Sequence, residues 1–253
     1  MMVDRNGKIL VENHPGFEAV LSPQYIKDLD AIANTVAPII GMEPLKLVQK
    51  VQKSRKQNGP FGQIKLKDNL SRDEVFRLKH IRLDTPGLDI RESVVRYYPL
   101  LENGAQVFGY VAEISKKQIP LYNKNFKGEI SFEQGDLIGQ NGLEEVLERH
   151  IRGEDGTQFI QVDAFGRETT SNTPNIYGEQ ISDKEPIPGN NITLTIDKDV
   201  QEAAYKSFKE HDRIGALVAM KSNGEILAWV SAPSYDPNEF ARGIGSQLWS
   251  KLV

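Results

Sequence analysis

The sequence predicts an α+β fold in two parts, on three observations. Asn6-Gly7 and Asn223-Gly224 each lie between apolar runs, a pattern that predicts two tight hairpin turns. Apolar residues recur at a helical spacing between residues 22 and 40, so helices are also expected. The stretch Glu168–Pro188 is rich in Thr, Ser, Asn, Pro and Gly and has little periodicity. It is the best candidate for a boundary between two domains.

The first 87 residues predict a strand and three helices. The turn Asp4–Gly7 predicts an outgoing strand at Lys8–Glu12. Ser22-Pro23 predicts the start of a helix that buries one face and ends at Gly41. A second helix is expected from Pro44, and Ser71-Arg-Asp-Glu74 is spaced as a capping box that starts a third.

Strand patterns dominate the middle of the chain, and a helix and a hairpin follow the boundary. Leu88–Ile114 predicts extended structure, Gly142–His150 a helix, and the surroundings of Phe159 a further strand. Ile192–Ile196 predicts a strand, followed by a helix for which Asp197 is well placed as the N-cap. The hairpin at Asn223-Gly224 then leads into a Pro-rich exit.

Composition excludes several classes of function. The 31 basic and 35 acidic residues are well mixed, which disfavours nucleic-acid binding because such binding relies on clustered Lys and Arg. There is no cysteine, and the four histidines have no metal-binding spacing. We therefore expect no metal and no cofactor. No run approaches the roughly 18 apolar residues of a membrane-spanning helix, so we expect a soluble chain.

One form of serine nucleophile is Ser-x-x-Lys, in which one helical turn places the lysine amine beside the serine hydroxyl. None of the serines in the sequence is followed by lysine three residues later. Lys221-Ser-Asn-Gly224 interrupts the Lys-Ser-Gly pattern that would accompany such a site. The sequence therefore predicts no catalytic residue in this chain.

Five short segments, in order along the chain, carry a common signature: Asp4-Arg-Asn-Gly7, Arg96-Tyr-Tyr-Pro99, Gly139-Gln-Asn-Gly-Leu-Glu144, Pro188–Asp197 and Ser231–Phe240. Taken together they are far more specific than any one alone. They resemble one family, the class B monofunctional penicillin-binding proteins. The second and last segments look most like the elongation-specific transpeptidase of rod-shaped bacteria. The division-specific paralogue is the alternative.

The resemblance implies a domain division and a cluster of motif residues. Residues 1–187 would form an elongated, mixed α+β pedestal, or dimerisation, domain with head and anchor parts. Residues 188–253 would be an incomplete start of a transpeptidase domain: strand, helix and hairpin. Arg5, Arg96 and Glu144 are expected to approach one another as an ion-paired structural cluster. Leu101 stands where the family commonly has glycine, which puts the local turn in doubt.

The resemblance also implies a function for the protein from which such a chain derives. That protein would be a serine-type D-Ala-D-Ala transpeptidase, anchored by an N-terminal helix at the periplasmic face of the inner membrane. This chain would be its non-catalytic pedestal. Its partners would be the glycan polymerase and the rod-shape scaffold protein of cell-wall elongation. A structural spacer without partners is the alternative.

Residues 188–253 carry one further expectation. A strand, a helix and a hairpin leave an open sheet edge and an uncovered apolar face, and both features favour self-association.

Overall fold

The computed structural model describes residues 1–59, 62–126, 130–157 and 183–241, and within these ranges the fold is a mixture of strands and helices. The strands are β1 (Met2–Val3), β2 (Ile9–Leu21), β3 (Ile64–Lys67), β4 (Leu88–Tyr97), β5 (Val111–Glu113), β6 (Leu137–Gly139), β7 (Ile192–Thr193), β8 (Gly215–Met220) and β9 (Ile226–Ala232). The helices are α1 (Leu29–Val36), α2 (Pro44–Asn58), α3 (Arg72–Ile81), α4 (Ala105–Phe108), α5 (Ile119–Asn125), α6 (Gly142–Val146), α7 (Glu148–Ile151), α8 (Lys198–Lys209) and α9 (Pro237–Ala241). The predicted α+β class is confirmed. The strand expected near Phe159 lies outside the described residues.

Tertiary contacts divide the chain into two compact units. Unit 1 comprises Met1–His14, Val95–Asp155 and Pro186–Val253, and unit 2 comprises Pro15–Val94 and Gly156–Glu185. Unit 1 thus contains residues from both sides of the boundary expected between residues 187 and 188. That boundary stays a prediction.

The sheet of unit 1 has the short strand β1 at its centre. β1 pairs antiparallel with the start of β2 and parallel with β7. The turn between β1 and β2 is closed by a hydrogen bond from Asp4 N to Lys8 O, 2.8 Å, and Gly7 adopts a φ of 82° that favours glycine. The hairpin predicted at Asp4–Gly7 is confirmed. The cluster of buried apolar residues in this region is Met2, Leu10, Val11, Tyr98, Leu100, Phe108 and Ile196.

The C-terminal part of unit 1 is a helix packed on a hairpin. The Asp197 side chain accepts hydrogen bonds from the N–H groups of Asp199 and Val200 and so caps α8, as predicted. β8 and β9 pair antiparallel through the turn at Lys221–Glu225, which confirms the second predicted hairpin. α8 packs against β9.

A small antiparallel pair, β5 with β6, completes unit 1 together with the short helices around it. Four buried apolar side chains form its core: Ile114, Phe126, Phe132 and Ile138. The single helix predicted over Gly142–His150 is interrupted at Leu147, so that α6 and α7 are separate helices.

Unit 2 is built from three helices and strands with a common apolar core. β3 pairs antiparallel with the end of β2, and α1 packs on α2. The core is Ala19, Leu21, Ile32, Ala33, Val36, Ala37, Ile40, Leu47, Val51, Ile64, Leu66, Leu70, Val75, Leu78 and Leu88. Apolar burial of this kind is the main contribution to the stability of a small domain.

Two helix starts in unit 2 agree with the prediction and one differs. α2 begins at Pro44, and α3 begins after a capping box in which the side chains of Ser71 and Glu74 each accept from the backbone N–H of the other. α1 does not begin at Ser22-Pro23, where there is only one 3-10 turn. It begins at Leu29, because the Asp28 side chain accepts from Ala31 N and supplies the stronger cap.

Candidate functional site

The candidate site is a buried ion pair between β4 and α6. Arg96 Nε lies 2.7 Å from Glu144 Oε1, and the two side chains are only 10% and 1% exposed. Arg96 Nη1 also donates to Asn13 Oδ1, 2.9 Å away. Arg96 Nη2 is buried and has no hydrogen-bond partner in the described part of the chain. The guanidinium therefore compensates the charge of the buried carboxylate, while the two N–H groups of Nη2 are without an acceptor among the described residues.

Tyr98 is the second partner of the carboxylate. Its hydroxyl donates to Glu144 Oε1 at 3.2 Å, and the tyrosine side chain is buried. Burial and the nearby Glu144 carboxylate raise the pKa of Tyr98, so its hydroxyl stays protonated and acts as a donor. Burial also raises the pKa of Glu144 above its usual range, against the opposing effects of Arg96 and Tyr98.

Glycines let the backbone bring Glu144 into this position. A Cβ on Gly139 would overlap the backbone carbonyl of Glu144, and a Cβ on Gly142 would lie 2.7 Å from Gly109 N. Gly142 also has a φ of 62°. Since only glycine fits such close approaches without strain, the spacing Gly-x-x-Gly-x-Glu is a packing requirement.

A second acidic residue, Glu148, supports the same turn. Glu148 Oε2 accepts from Gly139 N at 2.8 Å, and Glu148 Oε1 lies 3.1 Å from Arg152 Nη1. The Arg152 guanidinium carbon lies 4.5 Å from the centroid of the Phe132 ring. The sequence analysis did not predict these contacts of Glu148. The i,i+4 spacing of Glu148 and Arg152 could have predicted their ion pair.

Arg5 forms its ion pair with a carboxylate other than Glu144, and its approach to Arg96 and Glu144 stays a prediction. Its guanidinium Nη2 is 3.3 Å from Glu225 Oε2, in the turn between β8 and β9. The buried member of this motif is Asp4, whose carboxylate accepts from the N–H groups of Asn6, Lys8 and Lys198 at 2.7 to 3.0 Å. Because these donors hold Asp4 inward, the next side chain, Arg5, projects to a different partner. Asn13, in the strand β2 that follows this turn, is the residue that reaches Arg96.

The turn after Arg96-Tyr-Tyr-Pro99 has leucine at position 101, where the resemblance led us to expect glycine. Leu101 has a φ of 52°, in the left-handed region, and its side chain is partly exposed. Leu101 N donates to Tyr98 O at 3.1 Å. The chain therefore accepts a strained leucine where glycine would fit without strain.

The chemistry available at this site is charge neutralisation and hydrogen bonding. Within the described ranges, no group of three or more His, Asp or Glu side chains is arranged to hold a metal ion. None of the helices described for this chain is both long and apolar enough to cross a membrane. What the arrangement of Arg96, Tyr98 and Glu144 can do is fix the relative positions of β4 and α6.

Comparison with known proteins decides the family. The family model described as the penicillin-binding protein dimerisation domain matches residues 1–194. The chain belongs to the penicillin-binding protein dimerisation-domain family. The first three motif segments, and with them the Arg96–Glu144 pair, fall within residues 1–194.

Relatives of this chain are longer proteins, and several of them are named as peptidoglycan D,D-transpeptidases. Peptidoglycan D,D-transpeptidase MrdA of Salmonella typhimurium is 31% identical over 253 residues, which cover 100% of this chain and 39% of the relative. MrdA of Escherichia coli is 26% identical, with 100% and 38% covered. Penicillin-binding protein 3 of Bacillus subtilis is 32% identical over 238 residues, with 87% and 33% covered. The chain thus spans less than half the length of these relatives.

A solved structure resembles nearly the whole chain. It is a complex between penicillin-binding protein PBP2 and MreC from Helicobacter pylori, with a TM-score of 0.75 and 25% identity. The match covers 99% of this chain and 44% of the solved one. The expected resemblance to class B penicillin-binding proteins of the elongation type is confirmed.

Proposed function

We propose that this chain is the non-catalytic pedestal of a periplasmic peptidoglycan D,D-transpeptidase. It positions the catalytic domain and docks proteins of the cell-wall elongation machinery. The proposal rests on how much of each protein the match includes. The similarity to MrdA extends over the complete chain but over only 39% of the relative, and the family domain occupies residues 1–194.

The absence of a serine nucleophile supports the non-catalytic part of this proposal. No serine among the 253 residues precedes a lysine by three positions. The acylation step of a penicillin-binding protein requires that pair, because the hydroxyl needs a neighbouring base. The protein that carries this pedestal would cross-link peptidoglycan and bind penicillin through residues that lie outside this sequence.

Partner docking is supported by the neighbouring structure, in which PBP2 is bound to MreC. We infer that the rod-shape scaffold protein is a partner of this chain, and that the glycan polymerase of the elongation machinery is a second. The working location is the periplasmic face of the bacterial inner membrane. The division-specific paralogue and a pure spacer remain the alternatives to this assignment.

Labelling with a fluorescent penicillin tests the non-catalytic role. The chain should give no covalent band under conditions in which full-length MrdA of Escherichia coli is labelled. A labelled band on the chain would overturn the proposal, because it requires an acylated nucleophile among these residues.

Biolayer interferometry tests the docking role. The folded chain is immobilised, and the periplasmic parts of the elongation scaffold and of a division-specific partner from the same bacterium are passed over it. Saturable binding of the elongation scaffold alone supports the proposal. Binding of the division partner alone would assign the chain to the division-specific transpeptidase. If the folded chain binds neither protein, only the spacer role is left.

A further inference from the structure

Tyr98 is held at its side chain and at its backbone by two segments that are distant in sequence. Its hydroxyl donates to Glu144 Oε1. Its backbone N donates to Asn238 Oδ1 at 2.9 Å, and its carbonyl accepts from Asn238 Nδ2 at 3.0 Å. Tyr98 and Asn238 are 1% and 2% exposed, so these bonds are shielded from water. One buried tyrosine therefore joins the ion pair to residue 238.

The Asn238 amide forms the two main-chain hydrogen bonds with Tyr98 that a neighbouring β-strand would otherwise form. It satisfies both main-chain groups of one buried residue, with its oxygen as acceptor and its nitrogen as donor. Asn238 Nδ2 also donates to Asp236 Oδ1 at 2.7 Å, which fixes the orientation of the amide. An ionised aspartate at this position has no donor. An alanine would leave the Tyr98 N–H buried without a partner, and the Tyr98 carbonyl would keep only the bond from Leu101 N.

The exit segment, Ser234–Phe240, has three further anchors, all on residues 102–110. Ser234 Oγ donates to Glu102 O, and Tyr235 Oη donates to Ala105 O. The Phe240 ring stacks on Tyr110, with centroids 4.1 Å apart. The whole segment is thus fastened to the stretch of chain that follows Arg96.

We propose that Asn238 is a positioning residue that couples the buried Arg96–Glu144 pair to the exit segment through Tyr98. The functional meaning rests on the proposed function, since the exit segment resembles the start of a transpeptidase domain. A change at the pedestal ion pair loosens the exit segment, and loss of the Asn238 amide loosens Tyr98 and its bond to Glu144. The pedestal and the first part of the catalytic domain then respond as one element.

Hydrogen exchange read by mass spectrometry on the complete chain tests this coupling. The variants are E144Q, which keeps the side-chain size, N238A, the double variant, and N34A as a control at an exposed asparagine of α1. E144Q and N238A should each raise exchange in peptides covering residues 234–240 by about tenfold. Because the two sites share Tyr98, the double variant should fall short of the product of the single effects by about fivefold.

A purely structural role would give a different pattern. It would raise exchange throughout unit 1, whereas coupling through Tyr98 leaves peptides of α8 and β8 at their original rates. The inference is overturned if E144Q leaves residues 234–240 unchanged, or if the double variant equals the product of the singles. Should N238A not fold, E144Q alone decides. No partner and no penicillin takes part, so the failure of scaffold binding and the failure of this coupling are separate results.

Discussion

The interiors of the two units differ in chemistry. Unit 2 encloses a continuous apolar cluster, and Thr85 is its one buried polar residue among those described. Unit 1 has smaller apolar clusters with charged and amide side chains buried between them: Asp4, Asn103, Glu144, Glu148, Gln201 and Asn238.

Apolar packing is non-directional and tolerates rearrangement, whereas a satisfied polar network favours one arrangement. Unit 2 is therefore specified chiefly by its hydrophobic pattern. Unit 1 is specified by individual residues, which is why the family motifs concentrate there.

The largest effect should come from removing one member of the buried pair in unit 1. We expect E144A to lower the free energy of unfolding by about 4 kcal/mol, because it leaves the Arg96 guanidinium buried without its counter-charge. Urea denaturation followed by far-UV circular dichroism measures this. The matched control is E145A, at an exposed position of the same helix, with an expected change within about 0.5 kcal/mol.

The double variant R96M/E144L sharpens this expectation. Replacing both charges with apolar groups of similar size removes the unpaired charge, so the double variant should be more stable than E144A. Equal losses in E144A and E145A would contradict the claim that the polar pair organises unit 1.

In unit 2 the largest effect should come from a cavity. L47A removes a fully buried side chain of α2 and should cost about 3 kcal/mol in the free energy of unfolding. L45A, two residues away and 67% exposed, should change it by less than about 0.5 kcal/mol. Hydrogen exchange should rise in unit 2 for L47A and in unit 1 for E144A; the same exchange pattern for both would remove the distinction between the units.

The acid dependence of the free energy of unfolding should show the contribution of the Asp4 carboxylate. Burial acts to raise its pKa, but the backbone donors of Lys198, Lys8 and Asn6 prevail and hold it below the usual range. A depressed pKa in the folded state means that the stabilisation is present above the unfolded pKa, about 3.9, and is lost as pH falls through the folded pKa.

D4N should therefore cost about 2 kcal/mol at pH 7, and the difference from the original chain should shrink toward pH 2 to 3. Urea midpoints across this pH range measure it, with D30N, an exposed residue of α1, as the control. A difference that stays constant with pH would show that the Asp4 charge contributes nothing.

The smallest effect concerns backbone strain at Leu101, and its sign is the reverse of the others. L101G should raise the free energy of unfolding by about 0.5 kcal/mol, since relief of the left-handed strain exceeds the entropy that glycine adds to the unfolded chain. V146G, at an exposed helical residue, should lower it by about 0.4 kcal/mol. Thermal unfolding followed by calorimetry distinguishes the two signs; destabilisation by L101G would mean that its side chain contributes more than the strain costs.

Local patterns predicted most of the elements, because their causes lie within a few residues. The two Asn-Gly turns, the capping box at Ser71 and Glu74 and the Asp197 cap all depend on neighbours in sequence. The start of α1 was misplaced because Ser22 and Asp28 are both acceptable caps, and the sequence does not rank their hydrogen bonds.

The site was less accessible to prediction. The approach of Arg96 to Glu144 was expected from family resemblance rather than from any pattern, and the same reasoning placed Arg5 with them. Glu225 lies 220 positions beyond Arg5 in the numbering, in an ordinary polar turn, so nothing local marks it as the partner. Asn238 is equally hard to predict, because a single asparagine forms no sequence pattern. Its role depends on the buried backbone of Tyr98, which is distant in sequence.

The close approach of Gly139 to the carbonyl of Glu144 has a consequence for natural variation. At most positions a protein drifts through small side chains, with alanine the first accepted neighbour of glycine. Here even one methyl group displaces the helix that carries the acidic residue. We therefore expect that Glu144 keeps its place beside Arg96 only while residue 139 is glycine.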